Sequence, residues 1–302
     1  MKKLALICAV AIAMASCSSL KIVDSNAAMN AGAAAVQALT ISDAQVAQLC
    51  SQYMVETDGQ NTILPADNSY TQRLNRVMAR FHNISNLNLN YKVYQSSTVN
   101  AFASGDGSIR IYSGLMDVMN DDQLFAVIGH ELGHLINKDV RDAYRNAYLI
   151  VAARYGIAAV NTTAGAISTG FLGDLGQELA NNAFSRKQEY EADAASFQFC
   201  VQNGVDPYAM YHALNRLIEL GGDSSMKGRL AELLQTHPYT EKRAARIKEM
   251  CEAAGYTMTS PKNNTTGSSN TNTVSPKTNG GSNNSGSTGT KPKKTTVTPK
   301  KG

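Results

Sequence analysis

Residues 123–139 have the sequence QLFAVIGHELGHLINKD, which contains two histidines four positions apart, His130 and His134. On an α-helix, residues four apart lie on one face, so both imidazoles can bind a single metal ion. Zinc takes histidine nitrogens at about 2.0–2.1 Å, which such a pair reaches without distortion. Glu131 lies about 100° round the helix from His130, where a carboxylate can accept a proton from a metal-activated water without binding the ion. The spacing therefore predicts a zinc site with its own general base.

The alternative interpretation of this segment is an ordinary core helix with two unliganded histidines. It is disfavoured because both histidines sit within an otherwise apolar run, and burying them without a partner costs free energy. Gly129 and Gly133 also need an explanation, since glycine inside a helix is about 1 kcal/mol less favourable than alanine. Both glycines are explained if a second backbone must approach this helix closely.

A catalytic zinc usually has three protein ligands and a water, so a third ligand must lie elsewhere in the chain. The metzincin extension would require histidine at position 140, which is Val140 here. The segment SRKQEYEAD at 185–193 supplies carboxylates instead. Glu189 and Asp193 share one helical face, which predicts Glu189 as a ligand and Asp193 as the acceptor of a hydrogen bond from a ligating imidazole. Glu191 points about 200° away and is predicted to be solvated. Taken alone, the segment also fits a charged surface helix.

The elements that must position these residues are mostly helices. Ser42 is a plausible cap for a helix that continues to Met54, and a second helical pattern spans Tyr70–Phe81. Apolar residues then alternate between positions 87 and 111 around a Ser-Gly-Asp-Gly turn, which predicts short antiparallel strands. Asn120 caps the helix that carries HELGH, and further helices are predicted at 184–203 and 207–220. The fold class is α+β, mostly α, with a small antiparallel sheet packed on the zinc helix.

The segment 155–176, between the two site helices, is rich in Gly, Ala and Thr. It is compatible with a flexible lid, a surface-lying segment or a pair of small-residue helices. A membrane span is disfavoured, because the segment has no long uninterrupted apolar stretch.

The N-terminus predicts export and a lipid anchor. Lys2 and Lys3 precede a short apolar stretch, which is typical of a secretory signal peptide covering residues 1–16. Met-Ala-Ser-Cys, ending at Cys17, resembles a bacterial lipobox, so Cys17 is the expected lipidation site and residues 17–41 the tether. Ordinary cleavage near Ala15 is the alternative. The expected location is the cell envelope, as a lipoprotein of the outer membrane that faces the periplasm.

The C-terminal residues 256–302 are nearly all Ser, Thr, Asn, Gly, Pro and Lys, which predicts a disordered tail after the domain at 42–255 that carries the predicted zinc site. The formal net charge of the chain is +4, but the tail carries seven lysines and no acid, so the rest is mildly acidic. We therefore expect no nucleic-acid partner. The tail is a solvated linker or a contact to an anionic surface. Cys50, Cys200 and Cys251 remain in the mature chain, and the sequence does not determine whether two of them pair.

Together, HELGH and SRKQEYEAD resemble the HExxH/ExxxD gluzincin metalloproteases, the family of HtpX and the CAAX prenyl protease. The resemblance covers roughly residues 40–250 and includes the segment Thr-His-Pro-Tyr-Thr at 236–240 with Arg243. It is strongest to the soluble periplasmic lipoprotein members LoiP and BepA. BepA-like chains continue into helical repeats, whereas this chain has the polar tail, which favours the LoiP-like type. Asp139 stands where LoiP-like sequences often carry another histidine.

The resemblance implies a zincin-like domain that binds one Zn²⁺ per subunit through His130, His134 and Glu189. It implies that Glu131 is the catalytic base and that Asp193 supports a ligand. His237 is implied to approach the metal as a self-inhibiting switch, although the residues alone fit a capped loop histidine equally well. Arg243 is implied to lie near the site, where it would stabilise the oxyanion.

The expected function is a zinc-dependent endopeptidase that cleaves misfolded or unassembled envelope proteins. Its partners would be protein or peptide substrates, and the lipid anchor its only attachment to the membrane. The substrate is expected to pair with the strand near 99–103 or the strand near 109–112. One alternative is a zinc-stabilised chaperone or assembly factor for outer-membrane proteins with little proteolysis. Another is a structural lipoprotein with an inactive site that binds no zinc.

Overall fold

A computed structural model describes residues 24–82, 84, 87–160, 183–238 and 240–258. The predicted signal peptide, Cys17 and nearly all of the predicted tail lie outside the described residues, as does most of the Gly/Ala/Thr-rich segment. In chain order the described elements are α1 (Ser25–Thr40), α2 (Asp43–Gln60), α3 (Ser69–Met78), β1 (Asn90–Tyr94), β2 (Ala101–Ala103), β3 (Ser108–Tyr112), α4 (Ser113–Val118), α5 (Asp121–Asn137), α6 (Asp139–Val160), α7 (Arg186–Gln202), α8 (Ala209–Gly221), α9 (Lys227–Thr236) and α10 (Thr240–Ala253). The mostly helical α+β class is confirmed.

The strands form one mixed sheet in the order β1–β3–β2. β2 pairs antiparallel with β3, with Ala101 opposite Ile111, as predicted. β1, however, pairs parallel with β3, with Asn90 opposite Ser108, so the predicted all-antiparallel sheet is corrected at this pairing. The alternation of apolar residues along a strand indicates which side chains are buried. It is the same whether the neighbouring strand runs parallel or antiparallel, so it does not predict the direction of pairing.

The order of the strands decides which of them can pair with a peptide. β3 is the central strand and all five of its residues are buried, so the predicted substrate strand at 109–112 has no free edge. β2 lies at the edge of the sheet. Just before it, the Val99 N–H donates to the Arg229 carbonyl at 2.8 Å, so among the described residues the part of this edge without a backbone partner is β2 itself.

Helix α5 carries HELGH through the middle of the domain. It begins with a capping box in which Asn120 and Gln123 bond each other's backbone N–H groups, as the Asn-Asp-Asp start predicted. Every residue from Gln123 to His134 is buried, which is the pattern of a core helix. The helix ends at Lys138, whose φ of 63° turns the chain directly into α6.

Residues 25–40 form helix α1 and pack against α6, which corrects the tether predicted for residues 17–41. The contact is built from Ala27, Ala34 and Ala38 of α1 and from Tyr148, Val151 and Tyr155 of α6. Alanine is the best helix former, so the segment is helical without a conspicuous apolar stripe. The folded region therefore begins before residue 42.

Cys50, Cys200 and Cys251 are buried free thiols, so the described part of the chain contains no disulfide. Burial raises the pKa of the Cys251 thiol to about 12, which keeps it protonated at neutral pH. Within the described residues, no helix has the length and apolar character needed to cross a bilayer.

Helices α5 and α7 pack against each other at the two glycines of α5. A Cβ placed on Gly133 would lie 2.8 Å from Ala192 Cα and 3.0 Å from Ala195 Cβ. At Gly129 the nearest atom would be Ser196 Cα at 3.3 Å. The Ser196 hydroxyl donates to the Ala126 carbonyl at 2.6 Å, which ties the two helices together. The close backbone approach predicted from the glycines is confirmed.

The contact at Gly133 predicts that Gly133→Ala destabilises the protein by about 1–2 kcal/mol. Overpacking against backbone costs about 1–3 kcal/mol, more than the gain of up to about 1 kcal/mol in helix propensity. Gly32→Ala in α1 is the matched control, because its Cβ would meet nothing within 4 Å and should stabilise the protein. Urea unfolding of both variants provides the measurement, and equal stabilities would contradict the close contact.

Candidate metal centre

Four buried side chains from three elements converge on one point. His130 and His134 project from α5, Glu189 projects from the first turn of α7, and His237 is the C-cap residue of α9. One donor atom from each lies within 4.8 Å of all the others. The i, i+4 pair on α5 and the first carboxylate of SRKQEYEAD are thus brought together as predicted.

Several separations between the donor atoms are near those of a tetrahedral zinc site. His130 Nε2 lies 3.1 Å from His134 Nε2, and Glu189 oxygens lie 3.5 Å from each of these nitrogens. His237 Nδ1 lies 3.0 Å from Glu189 Oε1 and 3.4 Å from His130 Nε2. Two corners of a tetrahedron with bonds of about 2.0–2.1 Å are about 3.3 Å apart. Glu189 Oε2 pairs with the Arg243 guanidinium at 2.5 Å, so Oε1, which lies beside His134 and His237, is the oxygen suited to a metal.

Glu131 stands beside the donors without joining them. Its Oε2 accepts a hydrogen bond from the Ala103 N–H of edge strand β2 at 3.1 Å. Its Oε1 lies 3.7 Å from His237 Nε2. The carboxylate is therefore held at one oxygen by the sheet, while the other oxygen faces the donor cluster.

The second nitrogen of each α5 imidazole meets a buried carboxylate. His130 Nδ1 lies 2.9 Å from Asp193, the contact that the i, i+4 spacing predicted. His134 Nδ1 lies 2.7 Å from Asp139, a contact that the sequence did not predict. Such carboxylates fix the tautomer and orientation of a ligating imidazole and raise its basicity. In the sequence, the only sign of Asp139 was an acidic residue directly after the helix. Acidic residues are common at that position in helices that carry no metal site.

Arg243 faces the carboxylates of α7. Its guanidinium donates to both oxygens of Asp193, at 2.9 and 2.7 Å, and pairs with Glu189 Oε2 at 2.5 Å. Two of its nitrogens are thus bonded to Asp193 and the third to Glu189. Arg243 therefore holds two residues of α7 in place, and its contact with an oxyanion, which the resemblance implies, stays a prediction.

The pKa values reflect the same contacts. Burial, together with the nearby positive charge of Arg243, lowers the pKa of His130. Burial opposes charge on His134 too, but hydrogen bonds to Asp139 and Glu189 raise its pKa to about 9. Glu189 is also buried, yet the imidazoles of His134 and His237 hold its pKa well below its ordinary value. The carboxylate of Glu189 is therefore ionised, as a metal ligand must be.

Residues 65–251 match the Peptidase family M48. The chain belongs to peptidase family M48. It is 39% identical over 233 residues to Metalloprotease LoiP of Escherichia coli K12, covering 77% of this chain and 90% of that protein. It is 35% identical over 253 residues to Metalloprotease YcaL of the same strain, covering 82% and 98%. The Beta-barrel assembly-enhancing protease of Escherichia coli O157:H7 is 29% identical over 217 residues, covering 68% and 44%.

These matches confirm the resemblance carried by HELGH and SRKQEYEAD, and they establish the chain as a metalloendopeptidase by family. Peptidases of this family depend on zinc, and the cluster of His130, His134, Glu189 and His237 supplies donors that zinc prefers. Glu191, in contrast to the other two acids of SRKQEYEAD, faces solvent and pairs with Lys187 at 3.4 Å.

The buried contact to His134 predicts that Asp139→Ala weakens zinc binding by about 10- to 100-fold, because the imidazole loses its orienting acceptor. Asp142→Ala is the control, since Asp142 lies on the same helix, is half exposed and pairs only loosely with arginines. Competition with a chromogenic chelator measures the affinities. An Asp139→Ala protein with the affinity of the Asp142→Ala protein would show that Asp139 does not support the site.

Proposed function

We propose that this chain is a zinc-dependent endopeptidase of the bacterial cell envelope that cleaves misfolded or unassembled envelope proteins. The observation that carries the proposal is the convergence of His130, His134 and Glu189 beside Glu131, at the edge strand of the sheet. A general base, a set of metal donors and a strand edge within a few ångströms are the parts that peptide hydrolysis needs.

His130, His134 and Glu189 are the proposed ligands of one Zn²⁺ per subunit. When bound, zinc activates water and polarises a peptide carbonyl. Asp193 and Asp139 orient the two imidazoles from behind, and Arg243 holds Asp193 and Glu189 in place.

Glu131 carries the proton transfers. Because Oε2 is occupied by the Ala103 N–H, Oε1 is the oxygen that accepts the proton from the attacking water. The same oxygen then delivers that proton to the departing amide nitrogen as the peptide bond breaks. Burial at about 2% exposure keeps bulk water from competing for this proton.

The substrate is proposed to lie extended along β2, the strand whose Ala103 N–H already contacts the base. Pairing of main chain with main chain recognises an extended peptide largely without regard to its sequence. That tolerance suits unfolded or unassembled proteins, which expose extended segments. One relative is named for enhancing β-barrel assembly, which agrees with substrates of the outer membrane.

His237 is proposed to close the resting site. Its imidazole lies between Glu189 and Glu131, at the fourth corner of the donor cluster, where a water would otherwise stand. It belongs to the loop between α9 and α10, so it can leave without displacing α5 or α7. Cleavage would then require that this loop move.

The proposed location follows from the N-terminal sequence. Lys2, Lys3 and the Met-Ala-Ser-Cys segment that ends at Cys17 support export and lipidation, which would attach the domain to the periplasmic face of the outer membrane.

Glu131→Gln tests the proposed reaction. It should retain zinc and the fold but reduce casein cleavage by about 10²- to 10⁴-fold, because the amide cannot accept a proton. Glu191→Gln, on the exposed face of α7, is the control and should cleave at the wild-type rate. Metal removal by a chelator should abolish cleavage in the control, and added Zn²⁺ should restore it. A Glu131→Gln protein that cleaves as the wild type does would refute the assignment.

The same variant separates proteolysis from the chaperone alternative. If the cellular phenotype of a null strain is rescued by Glu131→Gln but not by His130→Ala, binding to envelope proteins is the function and cleavage is secondary. If neither variant rescues the phenotype, hydrolysis is required.

His237→Ala tests the closed resting site. If the open form makes up about a tenth of the molecules, removing the imidazole should raise the initial rate of casein cleavage about tenfold. His212→Ala on α8 is the control, because His212 pairs with Asp206 and should leave the rate unchanged. A rate at or below that of the wild type, with zinc content unchanged, would contradict closure by His237.

A further inference from the structure

Phe184 occupies an unusual position at the start of the ligand helix. It directly precedes Ser185, whose hydroxyl and backbone form a capping box with Gln188 at the first turn of α7. An apolar residue at this position ordinarily packs against the fourth residue of the helix. Here the fourth residue is the buried carboxylate Glu189, which offers no apolar surface. The Phe184 ring must therefore find a different partner.

That partner is the face of a proposed zinc ligand. The Phe184 ring stacks on the His134 imidazole with centroids 3.9 Å apart and planes within 14°. His134 is held at its edge by Asp139, so the imidazole presents a rigid flat surface to the phenyl ring.

Phe184 also contacts the segment that carries His237. Its backbone N–H donates to the Thr236 carbonyl at 3.2 Å, and its ring centroid lies 5.4 Å from that of His237. Thr236 is the last residue of α9, and the His237 N–H returns to the Leu233 carbonyl at 2.8 Å. One residue thus links the start of α7, the imidazole of His134 and the end of α9.

We propose that Phe184 is a positioning residue that keeps His237 over the donor cluster and uses the face of His134 as its support. The inference rests on the proposed closure of the site by His237 and adds the contact that sets how readily it opens. When His237 leaves the cluster, the Phe184 ring becomes exposed and loses its contact with the His237 ring. Loss of the phenyl ring should therefore shift the loop toward the open form while the zinc ligands remain in place.

The first test is a double-mutant cycle on full-length protein with saturating zinc. Phe184→Ala should raise the rate of casein cleavage by about two- to tenfold, the factor that an aromatic pair contributes. In a His237→Ala background the same change should have no further effect, because the contact is already absent. Phe184→Tyr should retain the wild-type rate, because it keeps the ring. Phe197→Ala is the matched control, since Phe197 lies on the helix that follows Phe184, is also half-buried and packs on Tyr256.

The second test does not depend on activity. Amide hydrogen exchange at residues 234–237 should accelerate by about two- to tenfold in Phe184→Ala and not in Phe184→Tyr or Phe197→Ala, with the amides of α8 as internal reference. Three results would overturn the role of Phe184. The first is unchanged amide exchange in Phe184→Ala, and the second is equal exchange in Phe184→Ala and Phe184→Tyr. The third is an equal effect of Phe184→Ala on the cleavage rate in the wild-type and His237→Ala backgrounds. A His237→Ala protein no faster than wild type would instead refute closure by His237, and the exchange data would still decide whether Phe184 holds the segment.

Discussion

The site depends on the close approach of α5 to α7. Gly133 lies against the backbone of Ala192, at a separation that leaves no room for a Cβ. At this separation, Glu189 oxygens from α7 lie 3.5 Å from a nitrogen of each of the two imidazoles of α5. The glycine weakens the helix locally, and the packing between the helices offsets that cost.

Charge is the second constraint on the interior. Four buried carboxylates lie at the site, namely Glu131, Asp139, Glu189 and Asp193, and among the described residues the guanidinium of Arg243 pairs with two of them. Buried charges are tolerated only when they are paired, and the three imidazoles carry no charge unless they are protonated. A divalent cation bound among these side chains would supply balancing charge. The elevated pKa of His134 reflects the same excess of negative charge.

Different parts of the fold supply the rigid and the movable pieces. The proposed ligands and the carboxylates that orient them lie on or directly beside packed helices, where their rotamers are fixed by burial. Glu131 accepts a hydrogen bond from the Ala103 N–H of the sheet, so the distance between the proposed base and β2 is fixed. His237 and Phe184 lie at helix ends, where a change in a few backbone angles moves a side chain without unpacking the core.

Much of this site could be predicted because its spacing is local. HELGH places two imidazoles on one helical face, and SRKQEYEAD does the same for Glu189 and Asp193. The caps at Ser42 and Asn120 are also local signals, and both form as predicted. The glycines of α5 indicated a close neighbour, although the sequence did not say which helix it would be. These features depend on residues within two turns of one another, so the amino-acid order alone determines them.

The remaining features depend on contacts between residues far apart in the chain. The parallel pairing of β1 with β3, the packing of α1 on α6 and the contact of Phe184 with the end of α9 have no local signature. The same holds for Arg243, whose guanidinium reaches Asp193 and Glu189 because α10 packs against α7. Asp139 is near His134 in sequence, yet only the left-handed turn at Lys138 aims its carboxylate back at the imidazole. The sequence by itself determined the donors and their helices. The tertiary structure decided what surrounds them, because long-range packing selects one partner among many that satisfy the same local pattern.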